Sequence, residues 1–331
     1  MDLPGPARIP QDRFERDDVS NRTLAVVRCG DSSLHGTWST PDRDFDVAVS
    51  YFGKDERKQF PEASHVHRYK GGKWDGLYDF FAQNPQVIDQ YDYFWLPDDD
   101  VSSSAVDVNR FIQIAIDHDL QVSQPTLTLQ SDYSHLITVH HPRFLLRYTN
   151  FVEIMVPLLT RDLMKRTLER MEDSMSGFGF DFIWPSWTKN PLRQVAIVDV
   201  VQVHHARKRA DGELIKTIAM AGTSNTAELR REMASYGLGG EARIDGVPVP
   251  YIRVHGAIDL SGRHVKSRAR LATMQLLGRL GSRRDMLVKP SNGEIARHVG
   301  KTIHASKRGW KLAIAAVAMQ IAAILGILAS D

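Results

Sequence analysis

Short apolar runs recur along the chain, and most of them end at a polar or glycine-containing loop. They are rich in β-branched and aromatic residues, which is typical of strands buried in a sheet. Between the runs, apolar residues recur at helical spacing, as at Leu77, Phe80 and Phe81. The strand-like runs are residues 24–27, 45–53, 91–96, 120–125, 134–141, 195–203 and 249–258, and the helix-like stretches are 70–83, 105–117, 160–175 and 227–236.

This alternation predicts an α/β fold with a mainly parallel sheet flanked by helices. Residues 54–68 are charged and show no regular period, so they are expected to be irregular. With 331 residues and a hydrophobic fraction of 42%, the chain can bury a sizeable core, which excludes a globally disordered protein.

Three consecutive carboxylates, Asp98, Asp99 and Asp100, follow the run at 91–96 and Pro97. In an open α/β sheet, ligands bind beyond the carboxyl ends of the strands. Carboxylates clustered there repel one another unless a cation neutralises them, and their hard oxygens favour Mg²⁺ or Mn²⁺. The triplet therefore predicts a divalent metal and a phosphate-bearing substrate. The alternative is a solvated acidic turn.

Two further stretches carry candidate chemistry. The run at 195–203 delivers His204 and His205 to its carboxyl end. Neighbours on a strand point to opposite faces, so a pair of histidines favours a useful orientation for one of them. Asp181 lies in a stretch rich in glycine and aromatic residues, where burial would raise its pKa. The alternative for Asp181 is a helix N-cap.

Charge is distributed unevenly along the chain. The net charge is +2, but residues 263–311 alone are near +11, which leaves the rest near −9. This asymmetry predicts an anionic partner for the C-terminal part. Nucleic acid is the lesser alternative, because no recognition motif accompanies the charge. Cys29 is the only cysteine, so no intrachain disulfide can form, and a reducing compartment fits.

The two ends of the chain differ in character. Residues 1–18 are polar and lack the apolar region of a secretory signal. Residues 312–329 contain Gln320 as the only clearly polar side chain. This length is slightly short of a bilayer span, but the basic flank would attract anionic lipid. We predict a C-terminal membrane anchor with the catalytic part at the cytoplasmic face of the membrane. A helix buried in the protein or in an oligomer is the alternative.

The predicted organisation therefore has four parts, and the oligomeric state is not indicated. They are a flexible N-terminal arm (1–20), a catalytic α/β domain (21–210), a basic C-terminal extension (211–309) and an apolar helix (310–331).

An ordered set of motifs over roughly residues 22–206 resembles a known family, domain-of-unknown-function family 707 of bacteria and plants. Each motif is weak alone, but their order and spacing together are specific. Where the family usually has Asp-Glu-Asp, this chain has Asp98-Asp99-Asp100. The matching motifs are 45–53, Lys73-Trp74, Tyr91-Asp92-Tyr93 with the triplet, 122–125, 134–138, 151–157, Gly179-Phe180-Asp181-Phe182, and Val198-Asp199 with His204.

That family looks like glycosyltransferases of the GT-A type. The resemblance implies a nucleotide-sugar donor, a divalent metal (Mn²⁺ or Mg²⁺) and transfer to the hydroxyl of a glycan or lipid-linked acceptor. In this hypothesis Asp98 and Asp100 bind the metal, and His204 completes the protein ligands. Asp181 is the general base of an inverting transfer.

The remaining predicted contacts belong to the nucleotide and the acceptor. Asp98 and Asp99 are expected at the donor, Lys73 at its diphosphate, and Gly30 and Asp31 at its base. Trp184 and Trp187 would stack on acceptor sugars or belong to the core. Two other functions stay open: a non-catalytic nucleotide- or glycan-binding protein on the same fold, and a metal-dependent phosphoester hydrolase that uses the same Asp cluster.

Overall fold

A computed structural model describes residues 22–172, 174–207, 224–265, 267 and 270–272. Strands and helices alternate over most of this length, so the predicted α/β class is confirmed. The strands are β1 (Thr23–Cys29), β2 (Asp46–Tyr51), β3 (His65–Arg68), β4 (Tyr93–Trp95), β5 (Val101–Ser102), β6 (Val122–Leu127), β7 (Phe144–Thr149), β8 (Leu158–Thr160), β9 (Val195–His205), β10 (Ala242–Ile244), β11 (Val247–Val249), β12 (Val254–Asp259) and β13 (His264–Val265). The helices are α1 (Lys73–Gln83), α2 (Val87–Gln90), α3 (Ala105–Asp117), α4 (Arg161–Met171), α5 (Phe180–Trp187) and α6 (Asn225–Ser235).

The centre of the main sheet is mainly parallel. Its strands lie in the order β13-β12-β7-β9-β6-β8-β4-β1-β2-β3, and β5 pairs with the end of β9. β8 is antiparallel to both β4 and β6, so those two strands still point the same way. The strands that share this direction in the centre are β3, β2, β1, β4, β6 and β9.

Side chains that alternate along each strand form one core on each face of the sheet. In β1, Ala25 and Val27 face one core, whereas Leu24 and Val26 face the other. The amphipathic helix α3 covers the first core, and α1, α4 and α5 cover the second. Because both faces are covered, the central strands read as continuous apolar runs, which is why the sequence revealed them.

A buried arginine determines where α1 begins. Arg28, at the end of β1, is only 3% exposed and donates to the carbonyls of Tyr69, Gly71 and Gly72. Gly72 is the N-cap of α1, so these bonds hold the start of the helix over the carboxyl end of β1. Lys73, the first residue of α1, is thereby placed at the edge of the sheet that carries the Asp triplet.

Two predicted elements are wrong. The stretch at 134–141 contains a short 3-10 helix, Leu136–Thr138, instead of a strand, and the hydroxyl of Thr138 closes the turn on the His135 carbonyl. The region at 54–68 contains β3, which pairs with β2 at the sheet edge. Its sequence, His-Val-His-Arg, has little apolar content because an edge strand is partly exposed.

Residues beyond 210 contribute to the same fold. β12 pairs antiparallel with β7 and therefore extends the main sheet. In the part of the chain described here, no helix is long and apolar enough to cross a membrane. The predicted N-terminal arm, the apolar helix at 310–331 and most of the basic segment at 263–311 lie outside the described residues.

Candidate metal centre and active site

A two-residue strand brings the ends of β4 and β9 together. β5 follows the Asp triplet directly and pairs antiparallel with β9, with Val101 opposite His205. The carbonyl of Asp100 accepts the Ala206 N–H at 3.1 Å, which closes the junction. As a result, one ligand atom from each of Asp98, Asp100 and His205 lies within 4.8 Å of the others.

This donor set fits a divalent cation. Two carboxylates and one imidazole match the oxygen and nitrogen ligands of Mn²⁺ and Mg²⁺ sites. Nδ1 of His205 lies 2.9 Å from the Asp132 carbonyl, which can only accept, so Nδ1 carries a proton. Nε2 therefore faces Asp100, 3.2 Å from its Oδ2. Metal-binding histidines usually donate the N–H of the ring nitrogen that does not bind the metal to a carbonyl or carboxylate, as Nδ1 of His205 does here.

The pKa shifts of His205 and Asp100 reflect the same contact. Burial disfavours the charged imidazole, but the hydrogen bond and charge of Asp100, together with Asp98, outweigh it and raise the pKa of His205. Burial also disfavours the Asp100 carboxylate, but His205 and Arg207 outweigh it and lower the pKa of Asp100. The Asp98 and Asp100 carboxylates therefore favour a positive charge at the position where a metal is expected.

The structure places His205, not the predicted His204, at the carboxylates. Nδ1 of His204 lies 3.0 Å from Oγ1 of Thr128 and 3.4 Å from Oγ of Ser131. Neighbours on a strand face opposite sides, so only one of the two histidines can turn toward Asp100. The pairing of β5 with β9 selects His205.

Asp98 is held by Lys73. The ammonium of Lys73 lies 2.6 Å from Oδ1 of Asp98 and also donates to the carbonyls of Ile154, at 2.7 Å, and Met155, at 3.2 Å. One third of the Asp98 side chain is exposed. Removal from water raises the pKa of Asp98, and the Lys73 charge acts against this effect. Lys73 therefore neutralises a metal-ligand candidate, whereas the sequence predicted it at the diphosphate.

Asp99 faces a different set of partners from its two neighbours. Its Oδ2 accepts the Gly30 N–H at 2.9 Å, and its Oδ1 accepts from Nη1 of Arg207 at 2.7 Å. Gly30 also lies against the ring of Phe52, where a Cβ would come within 2.9 Å. Asp99 and Gly30 thus join the loop after β1 to the end of β4, and their role at a donor stays a prediction.

Asp31 is exposed and bound within the loops that follow β1 and β2. Its carboxylate accepts the Tyr51 hydroxyl and the Lys54 N–H, the latter at 2.9 Å. The Tyr51 hydrogen bond, followed by that of Lys54, lowers the pKa of Asp31. The carboxylate is therefore ionised, and its predicted contact with a nucleotide base stays a prediction.

Arg207 is a site residue that sequence reasoning missed. Its backbone N–H donates to Oδ2 of Asp100 at 3.0 Å, and its Nη2 donates to the Ser32 carbonyl at 2.8 Å. With the bond to Asp99, these contacts join the loops after β1, β4 and β9. The only sequence signal was a basic residue two positions after the histidine pair, in a chain with 42 Lys and Arg residues.

Asp181 lies in the first turn of α5. The N-cap of this helix is Gly179, at φ +111°, so Asp181 is not the N-cap. Its Oδ1 is buried and has no hydrogen-bond partner among the described residues. Removal from water raises the pKa of Asp181 well above its usual range, and the Glu153 carboxylate adds to the effect. The Ile154 N–H and Lys73 act in the opposite direction.

The two tryptophans predicted as sugar platforms have different surroundings. Trp184 is fully buried, and its Nε1 donates to Oγ1 of Thr167 at 3.0 Å, so it belongs to the core. Trp187 is partly exposed between the Arg166 guanidinium, 4.6 Å from the ring centroid, and the ring of Tyr236. Of these two tryptophans, only Trp187 is partly exposed.

Comparison with solved structures finds weak overall similarities. TarS of S. aureus in complex with UDP has a TM-score of 0.38 and 9% identity, with 68% of this chain and 76% of that chain covered. Glucosyl-3-phosphoglycerate synthase from Mycobacterium tuberculosis, in complex with Mn²⁺, UDP and phosphoglyceric acid, has a TM-score of 0.42 and 11% identity, with 71% and 89% covered. At these scores nothing about the reaction of this chain follows from the similarity. A search of curated proteins found no match.

A family model gives a more direct assignment. The model described as "Protein of unknown function (DUF707)" matches residues 43–236, which is more than half of the 331 residues. The match includes the Asp triplet, Lys73, Asp181 and His205, so the candidate site lies inside it. The chain therefore belongs to the DUF707 family.

Proposed function

We propose that the protein is a metal-dependent glycosyltransferase that moves a sugar from a nucleotide-sugar donor to a glycan or lipid-linked acceptor. The observation that carries this proposal is the convergence of Asp98, Asp100 and His205 beyond the carboxyl ends of β4 and β9. That edge of an α/β sheet is where ligands bind. The resemblance of the family to GT-A glycosyltransferases supports the same reaction class.

Each residue of the group has a distinct task in this proposal. Asp98, Asp100 and His205 hold Mn²⁺ or Mg²⁺, which when bound supplies a Lewis acid for the departing diphosphate. Lys73 keeps Asp98 in place through the 2.6 Å contact. The Asp132 carbonyl keeps Nε2 of His205 directed at the carboxylates.

Asp181 is proposed as the general base. The acceptor oxygen forms a bond to the anomeric carbon of the sugar as the bond from that carbon to the phosphate oxygen breaks. The electron pair of the broken bond leaves with the nucleoside diphosphate, and the ionised Asp181 carboxylate takes the acceptor proton. Its raised pKa makes it a stronger proton acceptor than an ordinary aspartate.

The place of the reaction in the cell is also a proposal. The basic segment at 263–311 and the apolar segment at 312–329 support attachment to an anionic membrane surface on the cytoplasmic side. A lipid-linked acceptor would be available there.

The test is a thermal-shift screen of nucleotide sugars with and without Mn²⁺, followed by product analysis. Stabilisation by one class of nucleotide sugar that requires Mn²⁺ is the expected result. Binding that is indifferent to the metal would contradict the proposed site. Attack of water at phosphorus, with release of sugar phosphate or inorganic phosphate and no transfer of sugar, would favour the hydrolase alternative.

A further inference from the structure

Two basic side chains, Lys73 and Arg207, flank the Asp triplet in the described part of the chain, and they differ in how they are exposed. Lys73 contacts Asp98 and has 14% of its side chain exposed. Arg207 contacts Asp99 and has 41% of its side chain exposed. A negatively charged ligand that approaches the triplet from solvent therefore meets the guanidinium more readily than the ammonium.

The hydrogen bonds of Lys73 leave it no donor for a ligand. A lysine ammonium has three N–H donors and no acceptor. All three are matched by oxygens within 3.2 Å, namely Oδ1 of Asp98 and the carbonyls of Ile154 and Met155. A phosphate oxygen could reach Lys73 only by breaking one of these partly buried contacts.

Arg207 is arranged differently. The guanidinium has five N–H donors in a planar fork. Nη1 donates to Asp99, and Nη2 donates to the carbonyl and hydroxyl of Ser32, an exposed loop residue. Asp99 would keep its second donor, the Gly30 N–H at 2.9 Å, if the guanidinium turned away. The backbone of Arg207 stays bound to Asp100, which keeps the side chain beside the metal candidates.

We infer that Arg207 is the residue that binds the diphosphate of the donor, with Asp99 and Ser32 orienting its guanidinium beside the Asp triplet. The inference rests on the proposed function and names the leaving-group contact within it. A guanidinium can pair with two phosphate oxygens at once, which suits a diphosphate better than a single ammonium. Negative charge on the diphosphate grows as the sugar–phosphate bond breaks, so the contact strengthens in the transition state.

The experiment measures binding of UDP, GDP and inorganic pyrophosphate by calorimetry in the presence of Mn²⁺, and binding of Mn²⁺ alone. The variants are Arg207→Gln and Arg207→Lys. The control is Arg193→Gln, which changes an exposed arginine at the opposite end of the β9 region. Thermal unfolding of each variant shows that it is folded.

Arg207→Gln should weaken the diphosphate ligand that the wild type binds by about tenfold or more, while Mn²⁺ affinity stays within about twofold. Arg207→Lys, which keeps the charge, should recover part of the loss, and Arg193→Gln should match the wild type. A parallel loss of Mn²⁺ and diphosphate affinity would show that Arg207 only positions Asp99 and Asp100, and would overturn the inference. Unchanged diphosphate affinity would overturn it while leaving the proposed function intact. Failure of the wild type to bind any of the three ligands would overturn the proposed function itself.

Discussion

Nε2 of His205 lies 3.2 Å from Oδ2 of Asp100, and this contact joins the last residue of β9 to the loop after β4. The contact exists because β5 pairs with the end of β9. This pairing directs the imidazole of His205 to Asp100, which makes His205 a candidate ligand. The imidazole of His204 is directed to Thr128 instead. The adjacent pair provides a built-in control for the metal centre.

His205→Gln should lower Mn²⁺ affinity by roughly tenfold or more, because it removes one of three candidate ligands. His204→Gln should bind Mn²⁺ like the wild type, since its imidazole contacts hydroxyls outside the group. Titration with Mn²⁺, followed by the paramagnetic resonance signal of the free ion, measures both. Equal losses in the two variants would contradict the assignment of the ligand to His205.

Asp181→Asn should lower kcat by roughly 10²–10⁴-fold and leave donor and Mn²⁺ binding unchanged, because the amide cannot take the acceptor proton. Asp162→Asn is the matched control, since Asp162 occupies the first turn of α4 and is exposed. Steady-state kinetics with the donor and acceptor found in the screen measure the effect. Normal turnover of Asp181→Asn would remove it as the base.

The pH dependence of kcat/KM should report the same residue. In the proposed mechanism Asp181 acts in its ionised form, so activity should be present above its pKa and be lost as the pH falls through it. Because that pKa is raised, the loss should occur well above the usual range of an aspartate near 3.8. Glu153→Gln removes a neighbouring negative charge and should move the acidic limb to lower pH. A limb that does not move would show that Glu153 does not act on the base.

Gly76→Ala should destabilise the fold, although alanine normally favours a helix interior by about 1 kcal/mol. A Cβ at this position of α1 would lie 2.3 Å from Nε of Arg28, which is buried and anchored to the carbonyls before α1. We expect the free energy of unfolding to fall by about 1–3 kcal/mol in urea. Gly239→Ala, where a Cβ meets nothing within 4 Å, is the control and should be nearly neutral.

Asp199→Asn should lower the free energy of unfolding by about 3–5 kcal/mol, since it leaves a buried arginine without its counter-ion. Nε and Nη2 of Arg147, on β7, each lie 2.8 Å from an oxygen of Asp199, on the neighbouring strand β9. The Asp199 side chain is fully buried. The double change Arg147→Met with Asp199→Leu should cost much less, because no unpaired charge remains. Urea unfolding measures both, and a similar loss in the double variant would contradict this explanation.

Removal of residues 310–331 should release the protein from membranes, because the apolar segment and its Trp310–Lys311 flank are the proposed anchor. Fractionation of cells that express the full chain or the shortened chain measures the effect. The candidate metal site, built from residues before 208, should bind Mn²⁺ equally in both proteins. An unchanged distribution between fractions would favour a helix that packs in the protein or in an oligomer.

The strands that sequence patterns revealed are those buried on both faces, such as β1, β2 and β9, because burial demands continuous apolar residues. β3 and β7 were not predicted. β3 lies at the sheet edge and carries two histidines and an arginine. β7 contains Arg147, whose charge is compensated by Asp199 from another strand. A pairing of that kind depends on partners far apart in the chain, so local patterns do not show it.

By itself, the sequence determined the α/β class and an acid cluster at a strand end, because apolar periodicity and strand-end position are local properties. Only the tertiary structure decided that His205 faces the acids and that Lys73 neutralises Asp98. It also decided that Arg207 joins three loops. These choices depend on the pairing of β5 with β9 and on the placement of α1 by Arg28. Contacts between distant segments set which face each side chain presents, and a one-residue change of register would exchange His205 for His204.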